Sequence, residues 1–277
     1  MNSKVIHYCW FGDNPMPQQA KECIESWKKY CPGYEIKKWD ASNFDFSICD
    51  YAHEAYEAKM WAFVSDYARF WILYNYGGMY FDTDLELINS IDDLIDQGPF
   101  FACENHLYEN KELLYSSGKG QAVAAGLGLA ANAGLGLYKE ILDDYSNSHF
   151  ITKYGVYDTT TVVTRVTRIL CKHGFDPFKN EIQHIAGVYI YPEEYFGGCN
   201  NLTRKIEIRH NTRAIHYYAG TWASKPARLA IQIKKRFAGK GKLFKAVGSI
   251  IAFPLQVFEK SRTQGFWNYT KYYLRKK

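Results

Sequence analysis

From Lys4 to Trp10 a short apolar run is followed by a Gly-Asp-Asn-Pro turn, which predicts a strand. From about Pro17 to Tyr30, Ala20, Cys23, Ile24 and Trp27 recur three and four residues apart, the spacing of one helical face. Tyr34 to Trp39, after Cys-Pro-Gly, predicts a second strand. Strand, helix and strand at this spacing suggest a βαβ unit, hence a parallel sheet with ligands at the carboxyl ends of its strands. Ala52 to Tyr76 then predicts helix: Tyr67, Phe70, Trp71 and Tyr74 supply apolar bulk, Asp66 and Arg69 lie three apart on one face, and Gly77-Gly78 ends it.

Met79 to Asp82 predicts a buried strand, and its period of two sends Asp82 and Asp84 to one side and Thr83 to the other. Between Phe100 and Tyr145 lies a stretch rich in small residues, GQAVAAGLGLAANAGLGLYKEIL, which permits close backbone approach to a ligand or to a neighbouring element. YGVYDTTTVVTRVTRIL predicts a loop entering a helix, GVYIYPEEYF a strand into a turn, and AIHYYAGTWAS a late strand and loop. Asp158 reads first as a turn aspartate and second as a sugar or acceptor contact.

At 277 residues, 47% hydrophobic and 17% aromatic, the chain can bury a full core. Its seven cysteines are odd in number and never form a C-x-x-C pair, so reduced thiols in the cytosol are expected rather than a disulfide framework or a zinc site. The apolar run at the N-terminus is too short for a signal peptide, and no stretch approaches the ~20 apolar residues of a membrane span. Charge is divided unevenly. Residues 223 to 277 carry fourteen Lys/Arg against one acid, Glu259, leaving 20 bases against 28 acids in the rest. Within that basic segment LFKAVGSIIAFPLQVF, residues 243 to 258, is apolar but broken by Lys245 and Pro254. Downstream, Phe266, Trp267, Tyr269, Tyr272 and Tyr273 sit among Lys271, Arg275, Lys276 and Lys277. Rings mixed with cations suit lipid headgroups, so residues 227 to 277 are expected to dock on an anionic membrane surface. A nucleic acid, a solvated tail or a dimer-forming helix pair are the alternatives. The apolar run favours lipid, and no nucleic-acid partner is expected.

The chemistry rests on Asp82 and Asp84, an Asp-x-Asp that taken alone reads as a solvated turn after a strand and gains meaning from its context. Two carboxylates at a strand end suit Mn²⁺ or Mg²⁺, which bridge to phosphate oxygens, and the reaction implied is departure of a nucleoside diphosphate.

KVIHYCWFG, FVSDYARFWILYNYGGMYFDTDLE and IHYYAGTW together resemble glycosyltransferase family 32 over residues 4 to about 225. The S-D-x-x-R helix, G-G-M-Y, D-x-D and a late His followed by a Trp occur in the family's order. Yeast-type initiating mannosyltransferases and bacterial capsule and lipopolysaccharide transferases belong to that family, and the catalytic domains of large clostridial glucosylating toxins are similar. The resemblance implies an α/β fold of GT-A type: one domain over residues 1–226 with a Rossmann-like nucleotide-binding sheet. Residues 1–99 would form the nucleotide-sugar part and 100–226 the acceptor side, with 227–277 a basic helical appendage.

Roles carry over by the same resemblance. Asp66, Arg69, Asp82 and Asp84 form the catalytic set. Trp10 stacks on the nucleotide base, Ser65 belongs to the donor site, and Asp66 and Arg69 hydrogen-bond the sugar hydroxyls, with Arg69 also turned to the diphosphate. Asp84 contacts the metal directly, Asp82 is shared between ribose and metal-bound water, and Tyr80 lines the pocket. His216 is the third metal ligand. Trp222 offers its indole N–H to a phosphate beside Thr221, which stands where Ser is usual, and Lys225 neutralises diphosphate charge. Plainer alternatives stand beside these: a core tryptophan, a local ion pair, core packing of Tyr80, a core histidine, a tail lysine. Retention needs a carboxylate nucleophile or front-face departure, and no residue stands out as a nucleophile. The expected protein is a Mn²⁺- or Mg²⁺-dependent retaining hexosyltransferase on the inner face of the cytoplasmic membrane. It would use a UDP-sugar, galactose or glucose favoured, and a lipid-linked oligosaccharide acceptor in capsule or O-antigen synthesis. A homo-oligomer stays open. The alternatives are modification of protein hydroxyls and a non-catalytic nucleotide-sugar-binding protein.

Overall fold

The computed structural model describes residues 3–113, 116–200, 205–220, 229–230, 233 and 247–255, without the side chains of 106–119. In chain order the elements are β1 (Val5–Cys9), α1 (Gln18–Tyr30), β2 (Glu35–Trp39), a 3-10 turn (Phe46–Ile48), α2 (Asp50–Glu57), α3 (Trp61–Tyr76), β3 (Gly78–Tyr80), β4 (Leu85–Leu87) and α4 (Asp92–Gln97). There follow β5 (Phe100–Leu113), β6 (Ser116–Val123), β7 (Leu129–Ala131), α5 (Gly136–Ser146), α6 (Val162–Lys172), β8 (Gln183–Ile185), β9 (Val188–Tyr191), α7 (Glu193–Phe196) and β10 (Ala214–His216).

The expected α/β architecture is present. The central sheet runs β2-β1-β3-β7-β5-β9-β8, with β6 on β5, and β10 pairs with β4 in a separate two-stranded sheet. β1 is parallel to both β2 and β3, and β5 is parallel to β9. The sheet is not wholly parallel, because β7 enters antiparallel between β3 and β5, and β8 turns back on β9. The Gly/Ala-rich stretch passes through β7, where Leu129, Ala130 and Ala131 are all buried, and runs on into α5.

Side chains of the strands alternate between two cores, as a pleat requires. Tyr80, Phe101, Cys103, Leu129, Ala131, Val188 and Ile190 pack with α2, α3, α5 and α6 on one side. Ile6, Met79, Phe100, Ala102, Ala130 and Tyr191 pack with α1, α4, β4 and β10 on the other. α3 is buried almost all round: Phe63, Val64, Tyr67, Ala68, Phe70, Ile72 and Leu73 are in the core, and so are Asp66 and Arg69. Glycine is required where α3 turns into β3. Gly78 has φ +96°, and a Cβ there would stand 2.6 Å from the Val5 carbonyl of the neighbouring strand.

Two local expectations are corrected. The helix expected from Ala52 to Tyr76 is two helices. The Met60 amide donates to Ala55 O and the Lys59 amide to Tyr56 O, both at 2.9 Å, with Lys59 at φ 57°. This is a Schellman ending with lysine in the left-handed position that glycine usually takes, so the sequence carries no break signal. Strand β3 also ends at Tyr80, and Leu85 N donates to Asp82 O at 3.0 Å. Asp82 and Asp84 therefore sit on a turn between β3 and β4, and that turn, not a strand pleat, brings them together. Among the described residues no helix is long and apolar enough to cross a membrane.

Candidate active site

Tyr80 points into the core on the α3 side, and Asp82 follows it there. The Arg69 guanidinium lies over the Tyr80 ring at 4.8 Å. Its Nη2 stands 3.0 Å from Asp66 Oδ1 and 3.4 Å from Asp82 Oδ1, and its Nε donates to the Ser65 carbonyl at 3.0 Å. Tyr80 OH donates to the same Asp82 oxygen at 3.2 Å. With its side chain 4% exposed, Arg69 is a desolvated cation held by two carboxylates. Burial pushes Asp66 up to about 6 against the opposing pull of Arg69. This geometry exceeds an exposed i, i+3 pair, because it joins α3 to the β3–β4 turn.

On the other side of the turn Asp84 meets β10. His216 pairs in register with Leu85, so the β4–β10 ladder itself brings the histidine beside Asp84. His216 Nε2 is 3.1 Å from Asp84 Oδ1, and the Ala219 amide donates to Asp84 Oδ2 at 2.7 Å. Burial would raise the Asp84 carboxyl, but His216 and the Ala219 amide outweigh it and bring it to about 2. Burial conversely pulls His216 down, and Asp84 more than restores it, to above its ordinary value. The Tyr218 ring closes edge-on over His216 at 4.3 Å from a backbone with φ 49°.

Ligand atoms of Asp82, Asp84 and His216 all lie within 4.8 Å of one another. Both His216 ring nitrogens are buried without hydrogen-bond geometry to any described residue, despite the charge contact with Asp84. Two carboxylate oxygens and an unsatisfied imidazole fit a divalent cation, and the nitrogen donor suits Mn²⁺ better than Mg²⁺.

The remaining sequence candidates separate. Trp10, half-buried just past β1, donates its indole N–H to Asn14 O at 2.9 Å, which fixes the ring. The Ser65 hydroxyl is turned back to Trp61 O at 3.0 Å, so the serine meets the site through its carbonyl on Arg69. Asp158 is a turn aspartate: Oδ1 accepts the Thr160 amide at 2.9 Å and Oδ2 faces Arg165 at 2.5 Å. Thr221, Trp222 and Lys225 lie outside the described residues, as does most of the basic segment 227–277.

One residue packed against the D-x-D turn was missed. Gly126 accepts the Asp82 amide on its carbonyl at 3.0 Å, and a Cβ at Gly126 would stand 1.9 Å from Asp82 Oδ2. The signal was the small-residue stretch, whose close neighbour here is a carboxylate.

A buried arginine thus stands between two carboxylates, next to a D-x-D turn that faces a buried histidine. Residues 17–101 match the family described as "Glycosyltransferase sugar-binding region containing DXD motif", in agreement with the family resemblance of the sequence. Among individual proteins, the chain is 30% identical over 108 residues to inositol phosphoceramide mannosyltransferase 1 of Schizosaccharomyces pombe. That alignment covers 35% of this chain and 32% of the relative, about a third of its length. Solved structures similar to this one include PaToxG glycosyltransferase, with TM-score 0.39 and 17% identity over 61% of this chain and 69% of that one. The galactosyltransferase LgtC in complex with donor and acceptor sugar analogues gives TM-score 0.38 and 13% identity over 78% and 87%.

Proposed function

We propose that the protein is a retaining, metal-dependent glycosyltransferase of GT-A type, moving a hexose from a UDP-sugar to a lipid-linked oligosaccharide of a capsule or O-antigen. The observation that carries the reading is the convergence of Asp82, Asp84 and His216 within 4.8 Å, beside the buried Asp66–Arg69 pair. Asp82, Asp84 and His216 would hold Mn²⁺, which when bound neutralises the charge of a departing diphosphate. Asp66 accepts from sugar hydroxyls, and Arg69 donates to the sugar or the diphosphate while fixing Asp82. A site of buried, paired groups selects its sugar strongly, since a wrong hydroxyl pattern leaves them unpartnered.

The named activity of the yeast relative, mannosyl transfer to inositol phosphoceramide, supports a lipid-borne acceptor and adds mannose to the donors to be tested. Placement on the inner face of the cytoplasmic membrane rests on the basic segment. In its described part Ile250, Ile251 and Phe253 are 71%, 48% and 63% exposed, an apolar face in a stretch rich in cations. The decisive experiment is a screen of UDP-glucose, UDP-galactose and GDP-mannose for hydrolysis with and without MnCl₂. Turnover of one donor that EDTA abolishes is expected. Absence of turnover and of binding for every nucleotide sugar would overturn the proposal.

A further inference from the structure

A second buried guanidinium stands near Asp66. Arg165, on α6, has its side chain 4% exposed. Nη1 donates to Asp144 Oδ2 at 2.6 Å and to Ser148 Oγ at 3.2 Å, and Nη2 donates to Asp158 Oδ2 at 2.5 Å. Its plane lies over the rings of Tyr145 at 4.8 Å and Tyr51 at 5.2 Å. One arginine thus joins α5, α2 and the segment entering α6. That segment leads straight to the donor-side carboxylate. Asp158 N donates to Phe150 O at 2.7 Å, Asp158 Oδ1 accepts the Thr160 amide, and Thr161 caps α6 by accepting the Thr164 amide at 3.3 Å. Val162, the next residue, packs in one core cluster with Phe63, Val64 and Tyr67 of α3, and the Tyr145 ring under Arg165 meets Tyr67, the neighbour of Asp66, at 5.9 Å.

An exposed ion pair would tether the segment without the cost of desolvating a buried ion. Burial between two rings and two carboxylates adds a fixed position. We infer that Arg165 is a positioning residue for the donor sugar: by clamping Asp158 to α5 it seats the first turn of α6 against Asp66 and so sets where that carboxylate meets the sugar. Lysine cannot replace it, because a point charge does not reproduce the planar fork that spans two carboxylates. This inference rests on the UDP-sugar reading above.

The test is the affinity of the full chain for UDP, UDP-glucose and UDP-galactose, by calorimetry in MnCl₂. The variants are Arg165→Lys, Asp158→Asn and Arg168→Met; Arg168 binds the same Asp144 at 3.1 Å but is 49% exposed. UDP affinity should stay within about twofold of wild type throughout. Affinity for the preferred UDP-sugar should fall roughly tenfold in Arg165→Lys and in Asp158→Asn, and stay unchanged in Arg168→Met. Asp158→Asn preserves shape, so it decides the matter should Arg165→Lys fold poorly. An equal loss for UDP and UDP-sugar, or no loss for either, overturns the inference. A wild-type chain that binds none of the three overturns the donor reading, and this failure shows in wild type alone.

Discussion

Gly126→Ala tests the carboxylate arrangement through a residue that contributes no functional group. Asp82 is fastened at its amide by Gly126 O and at its carboxylate by Tyr80 and Arg69. The added methyl would stand 1.9 Å from Asp82 Oδ2 and 2.8 Å from Cγ, where ordinary contact is about 3.5 Å. The carboxylate must therefore move on the order of 1.5 Å from the position in which it meets Arg69 and Tyr80 and lies within reach of Asp84 and His216. Losing hydrogen bonds to a charged group costs about 1.5–3 kcal/mol, and misplacing a reacting group by about 1 Å costs up to ~100-fold in rate. Gly126 itself lies outside the left-handed region, so alanine suits its backbone. The expected result is Mn²⁺-dependent donor hydrolysis reduced about 100-fold, a raised Mn²⁺ midpoint, and a Tm lowered by less than about 5 °C with unchanged near-UV circular dichroism. A folded variant with wild-type turnover and the wild-type Mn²⁺ midpoint would refute the reasoning.

Three further outcomes are expected. Asp84→Asn, which removes charge at nearly constant shape, should lower donor turnover on the order of 10²–10³-fold; full activity in this variant, or after exhaustive chelation, contradicts the metal assignment. Burial raises the Asp66 carboxyl to about 6 in the folded chain, from an ordinary value near ~3.9. Its stabilising contribution is therefore complete below about pH 4 and lost as pH rises through about 6, so urea midpoints across this range should fall less in Asp66→Asn than in wild type. An equal fall in both proteins would show that Asp66 is not the group responsible. Finally, flotation with anionic vesicles should depend on residues 227–277 and weaken with salt, while turnover of a soluble acceptor survives truncation; a full-length chain that stays off such vesicles at low salt removes the membrane placement.

The parts of this molecule legible in its sequence are those fixed by local chemistry. Ala20, Cys23, Ile24 and Trp27 announced α1 and are its buried face. Pro17, the residue before the helix, and the glycines at 77 and 78 marked boundaries because each restricts or frees a backbone angle. Asp66 with Arg69, and Asp82 with Asp84, were visible as short-range spacings. What was hidden depends on distant partners. Lys59 ends α2 in a conformation its side chain does not advertise. The antiparallel entry of β7 follows from which strands are free to pair, and period alone does not encode it. Gly126 stood in a run of small residues whose packing partner, the Asp82 carboxylate, could be identified only in three dimensions. The same holds for Asp158, whose carboxylate serves Arg165 on the following helix.

The β4–β10 ladder has a consequence for how the chain folds. Ala219 and Asp84, which its register brings together, are 135 residues apart in sequence, so the cluster of Asp82, Asp84 and His216 closes one of the longest loops in the molecule. Closing such a loop costs chain entropy before its contacts are made, so these contacts are expected to form after those between strands nearer in sequence. A cation held there would stabilise the native state without helping the transition state. It would slow unfolding and leave the folding rate nearly unchanged, so the loaded enzyme would owe its persistence to a clasp fastened last.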